Sequence, residues 1–138
     1  MHRLFIDINV ILDVALARLP HFSASQKMLS YVEKGKASGH ISALSCAIVY
    51  YLVQKETNHK KAVAYIRDIL RLFTVVEVNK RVLIRAFEIE LADFEDSIQI
   101  ACAENCEADY IITRNFDDFK KSGSVFISPT EYLATFDI

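Results

Sequence analysis

The sequence predicts an α/β fold, three layers in α/β/α order around a mainly parallel central sheet, and three observations carry that expectation. Short apolar runs alternate with segments of helical period, the order that builds parallel sheets between helical layers. The first such run, Leu4-Phe5-Ile6, ends on a carboxylate, Asp7. A later one, Tyr110-Ile111-Ile112, ends on Thr113-Arg114-Asn115. Polar groups just past the carboxyl ends of strands stand where open α/β sheets build their sites.

The elements follow in order. After a strand at Arg3 to Asp7, Asn9 is expected to cap a short helix through about Leu16, its side-chain oxygen accepting from first-turn amides. A second helix, Ser23 to Glu33, follows Pro20 and stops near Lys34-Gly35-Lys36. Gly39 to Ser42 is a short strand, Leu44 to Lys55 an apolar helix, and His59 to Leu72 an amphipathic one with Ala62, Ile66, Ile69 and Leu70 inward. Thr74 to Val78 has strand character, and helices are expected at Lys80 to Glu90 and Phe94 to Cys106. Strands at Tyr110 to Ile112 and Val125 to Ile127 complete the sheet. Ser128-Pro129-Thr130-Glu131 opens a last helix, with a serine cap, proline at the first helical position and an acid three residues after the cap.

Composition bounds the answer. With 138 residues and a hydrophobic fraction of 52%, the chain is expected to be a single domain, residues 1–138, with a substantial core. No run approaches the roughly 18 uninterrupted apolar residues of a membrane span, and the N-terminus leads straight into a strand rather than a signal peptide, so no membrane association and a cytoplasmic location are expected. Cys46, Cys102 and Cys106 form an odd set without a CxxC pair, which suits buried thiols in a reducing compartment better than a disulfide or a zinc site. His2, His21, His40 and His59 are scattered without ligand spacing.

A net charge of −2 excludes a strongly basic nucleic-acid binder, but the charge is unevenly distributed. The stretch from His59 to Arg85 is basic, with Lys60, Lys61, Arg67, Arg71 and Arg85; from Glu88 to Asp118 the chain is acidic. Such a pairing suits a phosphate-binding flank beside a cation-binding centre, and equally the solvated faces of ordinary helices. Within the acidic block, Asp93 and Asp96 lie three residues apart at a helix start, on one side of the helix, where they could share a cation. Acids also favour helix starts through the macrodipole, and Asp93 has the alternative role of a simple cap. Thr113, Asn115 and Asp118 have ordinary readings as turn formers, and Arg114 as a surface charge. Two strand ends and an acidic helix start nevertheless converge on one sheet edge. Clustered acids repel unless a cation sits among them, and oxygen donors suit Mg²⁺ or Mn²⁺, the ions that activate water against a phosphodiester.

These segments together resemble the PIN domain family, the ribonuclease domain of VapC-type toxins. The resemblance is carried by Phe5 to Asp13, by Asp93-Phe94-Glu95-Asp96 leading into Ile98 to Ala103, and by Ile112-Thr113-Arg114-Asn115 with Asp118-Phe119. It implies that Asp7 and Asp96 bind the metal, with Asp93 supporting Asp96, Asn115 at a position often occupied by Asp, and Thr113 orienting ligands or water. Asn9 and Asp118 would hold the ligands in place. Metal-dependent endoribonuclease activity on single-stranded RNA, an antitoxin encoded nearby and a homodimer are further implications. Lys60, Lys61, Arg67, Arg71 and Arg85 could steer the RNA. Tyr50 and Tyr51 could stack bases, although in so apolar a helix at least one is expected in the core.

One departure from the family pattern matters. PIN nucleases usually carry a glutamate early in the helix after the second strand, and here Ile48 stands at that position. No acid occurs between Leu44 and Gln54, and Glu56 comes about two turns too late. Fewer carboxylates mean weaker binding of a hard cation. The rival expectation is therefore a catalytically weak or inactive PIN-like module that binds RNA or a protein. An aspartate-dependent phosphatase of the haloacid dehalogenase type ranks lower, because Asn9 replaces its second aspartate, and a receiver domain is disfavoured for want of its paired acids and lysine.

Overall fold

The computed structural model of the protein describes residues 1–119 and 123–138, with the side chains of Asp118 and Phe119 outside the description. Its strands are β1 (Arg3–Ile6), β2 (Ser38–Ser42), β3 (Thr74–Val76), β4 (Tyr110–Ile112) and β5 (Phe126–Ile127). Its helices are α1 (Ile8–Ala15), α2 (Phe22–Glu33), α3 (Ala43–Glu56), α4 (His59–Leu72), α5 (Lys80–Ile89), α6 (Phe94–Asn105), α7 (Phe116–Phe119) and α8 (Pro129–Thr135). The strands form one parallel sheet in the order β3-β2-β1-β4-β5.

β1 is the central strand of that order, and its side chains are buried on both faces of the sheet, as parallel sheets require. Leu4 and Ile6 join one core with Ile41, Ile112 and residues of α1 to α4 and α8, whereas Phe5 joins the other with Val76, Ile111 and residues of α5 and α6. Helical layers therefore cover both faces, and the expected α/β/α architecture is what the chain adopts. From β1 the chain moves outward through β2 and β3, then returns to the other side of β1 for β4. The carboxyl ends of β1 and β4 thus flank the point where the strand order reverses, the crevice position of open α/β sheets.

Local chemistry explains most boundaries. Ser42, Asn58, Asn79 and Ser128 cap α3, α4, α5 and α8, each accepting from a backbone amide three residues on. Gly35, at φ 73°, ends α2 in the left-handed conformation that a side chain would resist. Several expectations need correction. Asp7, not Asn9, is the cap residue of α1, because Asp7 still donates its N–H to the Ile112 carbonyl (2.9 Å) and the helix begins at once behind it. β3 stops at Val76, which pairs with Ser42, the last residue of β2, so Glu77 and Val78 have no strand beside them. Residues 116–119, expected as a turn, make the short helix α7. On α4, Ala62 and Ile69 are buried but Leu70 is 54% exposed, since the packed stripe runs through Tyr65, Ile66 and Leu72 instead. Among the described residues no helix is long and apolar enough to cross a membrane.

Candidate active site

Asp7 follows β1 directly and Thr113 follows β4, and the ladder pairs Ile6 with Ile112, so the two residues emerge side by side at the carboxyl edge. Thr113 donates its hydroxyl to Asp7 Oδ2 at 3.1 Å. Both are buried, Asp7 with only 2% of its surface exposed. Burial lifts the Asp7 carboxyl to about 6, against pulls in the other direction from the Thr113 hydroxyl, the Ile8 and Asn9 amides and the Asn9 side chain. Among the described residues no cationic side chain lies within ion-pair distance of Asp7. A desolvated carboxylate without a cation is a costly feature that a bound cation would relieve.

Asn115 extends the constellation, donating its backbone N–H to Thr113 Oγ1 at 3.0 Å, so Thr113 links Asn115 to Asp7 through one hydroxyl. Asn9 is half-buried in the first turn of α1. Asp93 and Asp96 behave differently from each other. Asp93 is exposed and accepts from the Glu95 amide at 2.8 Å through Oδ1, capping α6, the simple role that the sequence also offered for it. Asp96 is half-buried in the first turn of the same helix. The Glu95 carboxyl is pushed up by burial and by the neighbouring Asp93 charge. The side chain of Asp118 falls outside the described residues.

Ile48 is half-buried and packs against the core beneath α3, contributing no oxygen. One turn earlier the sequence places polar groups that pattern reading overlooked. Ser45 Oγ lies 3.1 Å from Ser42 Oγ and accepts from Gln99 Nε2 at 3.0 Å, tying the start of α3 to α6 inside the protein. Among the described residues the buried Gln99 Oε1 has no hydrogen-bond partner. A glutamine and two serines scattered over two segments give no periodic signal, and only folding brings them together. Arg114 is likewise not a free surface charge, because its guanidinium forks onto the buried carboxylate of Asp13.

The donors placed together at this edge are oxygens, the carboxylate of Asp7 and the hydroxyl of Thr113, with the Asn115 backbone tied to that hydroxyl. That chemistry fits a hard divalent ion such as Mg²⁺ or Mn²⁺, though with low ligand charge. Among the described residues no three His, Cys, Asp or Glu side chains gather into one metal-binding group. The basic residues divide between the two faces. Lys60, Lys61, Arg67 and Arg71 lie on α4, over the core built with α1 to α3, whereas Arg85 lies on α5, over the opposite face. Arg85 is engaged by Glu104 at 2.8 Å and Glu88 at 3.4 Å. Tyr51 is exposed, and half-buried Tyr50 meets His59 through its hydroxyl.

A family profile described as PIN domain matches residues 3–117, and the chain belongs to that family. Its fold is shared with solved VapC-type structures. VapC20 of Mycobacterium tuberculosis, described as a sarcin-ricin loop cleaving toxin, is 16% identical with a TM-score of 0.73, covering 91% of this chain and 99% of its own. VapBC2 of Rickettsia felis, bound to a promoter DNA fragment, is 14% identical at TM-score 0.72, covering 91% and 98%. FitAcB of Neisseria gonorrhoeae is 20% identical at TM-score 0.71, covering 92% and 98%. No match was found among curated proteins.

Proposed function

We propose that this chain is a metal-dependent endoribonuclease that hydrolyses phosphodiester bonds of single-stranded RNA, as the toxin of a toxin–antitoxin pair. The observation that carries this reading is the buried carboxylate of Asp7 at the sheet's switch point, tied to Thr113 and beside the Asn115 strand end. Asp7 and Asp96 would hold Mg²⁺ or Mn²⁺, which would supply Lewis acidity toward a phosphoryl oxygen and acidify water for attack. Thr113 holds the Asp7 carboxylate through Oδ2, which would keep it in place for a cation. Asn115 would supply a neutral oxygen and Asp93 would steady the start of α6, while Asn9 and Asp118 would hold the surrounding ligands, the role the family resemblance implies for them. Above pH 6 Asp7 is ionised and competent for this role. Lys60, Lys61, Arg67 and Arg71 on α4 would steer RNA toward the edge, with Arg85 contributing less because Glu104 and Glu88 hold it. A solved structure of this fold is described as a toxin–antitoxin complex from Klebsiella pneumoniae, which supports a small antitoxin partner; a homodimer and a cytoplasmic setting complete the proposal.

Calorimetric titration of Mn²⁺ and Mg²⁺ into wild type and Asp7→Asn, followed by cleavage of single-stranded RNA under saturating metal, tests the reading. Binding and cleavage that both vanish in the variant support it. A wild type that does neither leaves the second reading, an RNA- or protein-binding PIN module without catalysis. Ile48 favours that alternative, since it removes a charged ligand from the site.

A further inference from the structure

Asp13 is fully buried and accepts three hydrogen bonds: Arg114 Nε to Oδ2 and Arg114 Nη2 to Oδ1, both at 3.0 Å, and Ser25 Oγ to Oδ2 at 3.1 Å. Arg114 itself is only 29% exposed. Bidentate pairing in this setting fixes the guanidinium in direction as well as place. The partners matter more than the pair. Asp7 caps α1 and Asp13 lies further along the same helix, while Thr113 and Arg114 are successive residues of one strand end. One helix therefore grips two consecutive residues, Thr113 through Asp7 and Arg114 through Asp13. Asn115 follows immediately, its N–H held by the Thr113 hydroxyl.

We propose that the Asp13–Arg114 pair is a positioning device for the reaction, holding the 113–115 strand end so that Thr113 and Asn115 keep their placement beside Asp7. The proposal rests on the nuclease reading above. Without the pair, the side-chain link from the start of α1 to this strand end is, among the described residues, the Thr113 hydroxyl, and the Asn115 N–H is held by that same hydroxyl. Displacements of about 1 Å at such a site cost about a hundredfold in rate. Neither Asp13 nor Arg114 needs to touch RNA.

Replacing Arg114 alone strands a buried charge and threatens folding, so the informative variant is Asp13→Asn with Arg114→Gln, which removes both charges together. Circular dichroism and a cooperative melt establish that it folds. Arg114→Lys is the companion, because lysine keeps the charge but loses the planar fork. With wild type as reference, both folded variants are expected to lose about tenfold or more in kcat while KM for single-stranded RNA stays within about twofold. Calorimetry should show Mn²⁺ affinity falling severalfold in the double variant. A folded double variant with wild-type kcat and Mn²⁺ affinity overturns the positioning role and leaves the nuclease reading standing. Full activity in Arg114→Lys overturns it too, because charge neutralisation alone would then suffice. A wild type that neither binds metal nor cleaves RNA removes the nuclease reading, and the positioning role falls with it.

Discussion

Asp7 sets the pH behaviour of the protein at the scale of one side chain. Its folded carboxyl titrates near 6 against an ordinary value of 3.8, so between those values the folded state holds a proton that the unfolded chain has released. Stability from this group is therefore greatest below pH 4, falls as pH rises through that window, and is lower by about 3 kcal/mol once Asp7 is ionised. Asp7→Asn, which cannot ionise, escapes that fall. Urea unfolding of metal-free protein should show the two proteins converging near pH 4 and the variant more stable at pH 7.5. Added Mn²⁺ should then narrow the gap at pH 7.5 by stabilising wild type alone. Equal slopes with pH in wild type and variant would show that Asp7 is solvated rather than buried.

Single elements constrain the fold through close approach and through what each helix face must bury. A Cβ placed on Gly39 of β2 would sit 2.6 Å from Phe73 Cδ1 and 2.8 Å from Val32 Cγ1, inside contact distance of two core side chains. Gly39→Ala is accordingly expected to destabilise by about 1–3 kcal/mol, read as a lower urea midpoint with unchanged m-value. On α3 the opposite experiment is available, since Ile48 is only half-buried and stands where the family usually has glutamate. Ile48→Glu should tighten Mn²⁺ binding in calorimetry by adding a carboxylate, at some loss of packing. No gain would place α3 too far from the Asp7 edge to contribute a ligand. Much of this element-level picture was legible in the sequence. Leu4 to Ile6 and Tyr110 to Ile112 announced buried strands, and Ser128-Pro129 with Glu131 announced a capped helix. What stayed illegible was long-range. Nothing local distinguishes an Arg114 on the surface from one forked onto Asp13, and nothing in the spacing of Ser42, Ser45 and Gln99 shows that they meet. Leu70 misled for a related reason, because apolar character identifies a buried stripe only when helical phase agrees with it.

At the scale of the whole molecule, the acids are concentrated at one turn. Net charge is −2, yet Lys60, Arg67 and Arg71 recur at helical spacing on the outward side of α4 while the acids Glu88, Glu90, Asp93 and Glu95 crowd the α5–α6 turn. A polyanion approaching the Asp7 edge is repelled from the α6 side, so the α4 side is the path of lower energy. Arg71 is partly committed to Asp68 at 3.8 Å, which leaves Lys60 and Arg67 as the more informative pair to replace. In single-stranded RNA each neutralised phosphate contributes about 0.7 to the dependence of log affinity on log salt. If both residues meet phosphates, Lys60→Ala with Arg67→Ala should lower that slope by about 1.4 and weaken binding most at low salt. Fluorescence anisotropy of a labelled oligoribonucleotide across a KCl series reads the slope, and kcat at saturating RNA should stay at the wild-type value because neither side chain belongs to the Asp7 edge. An unchanged slope would remove α4 from the path of the RNA, and a fall in kcat would instead tie α4 to the geometry of the site.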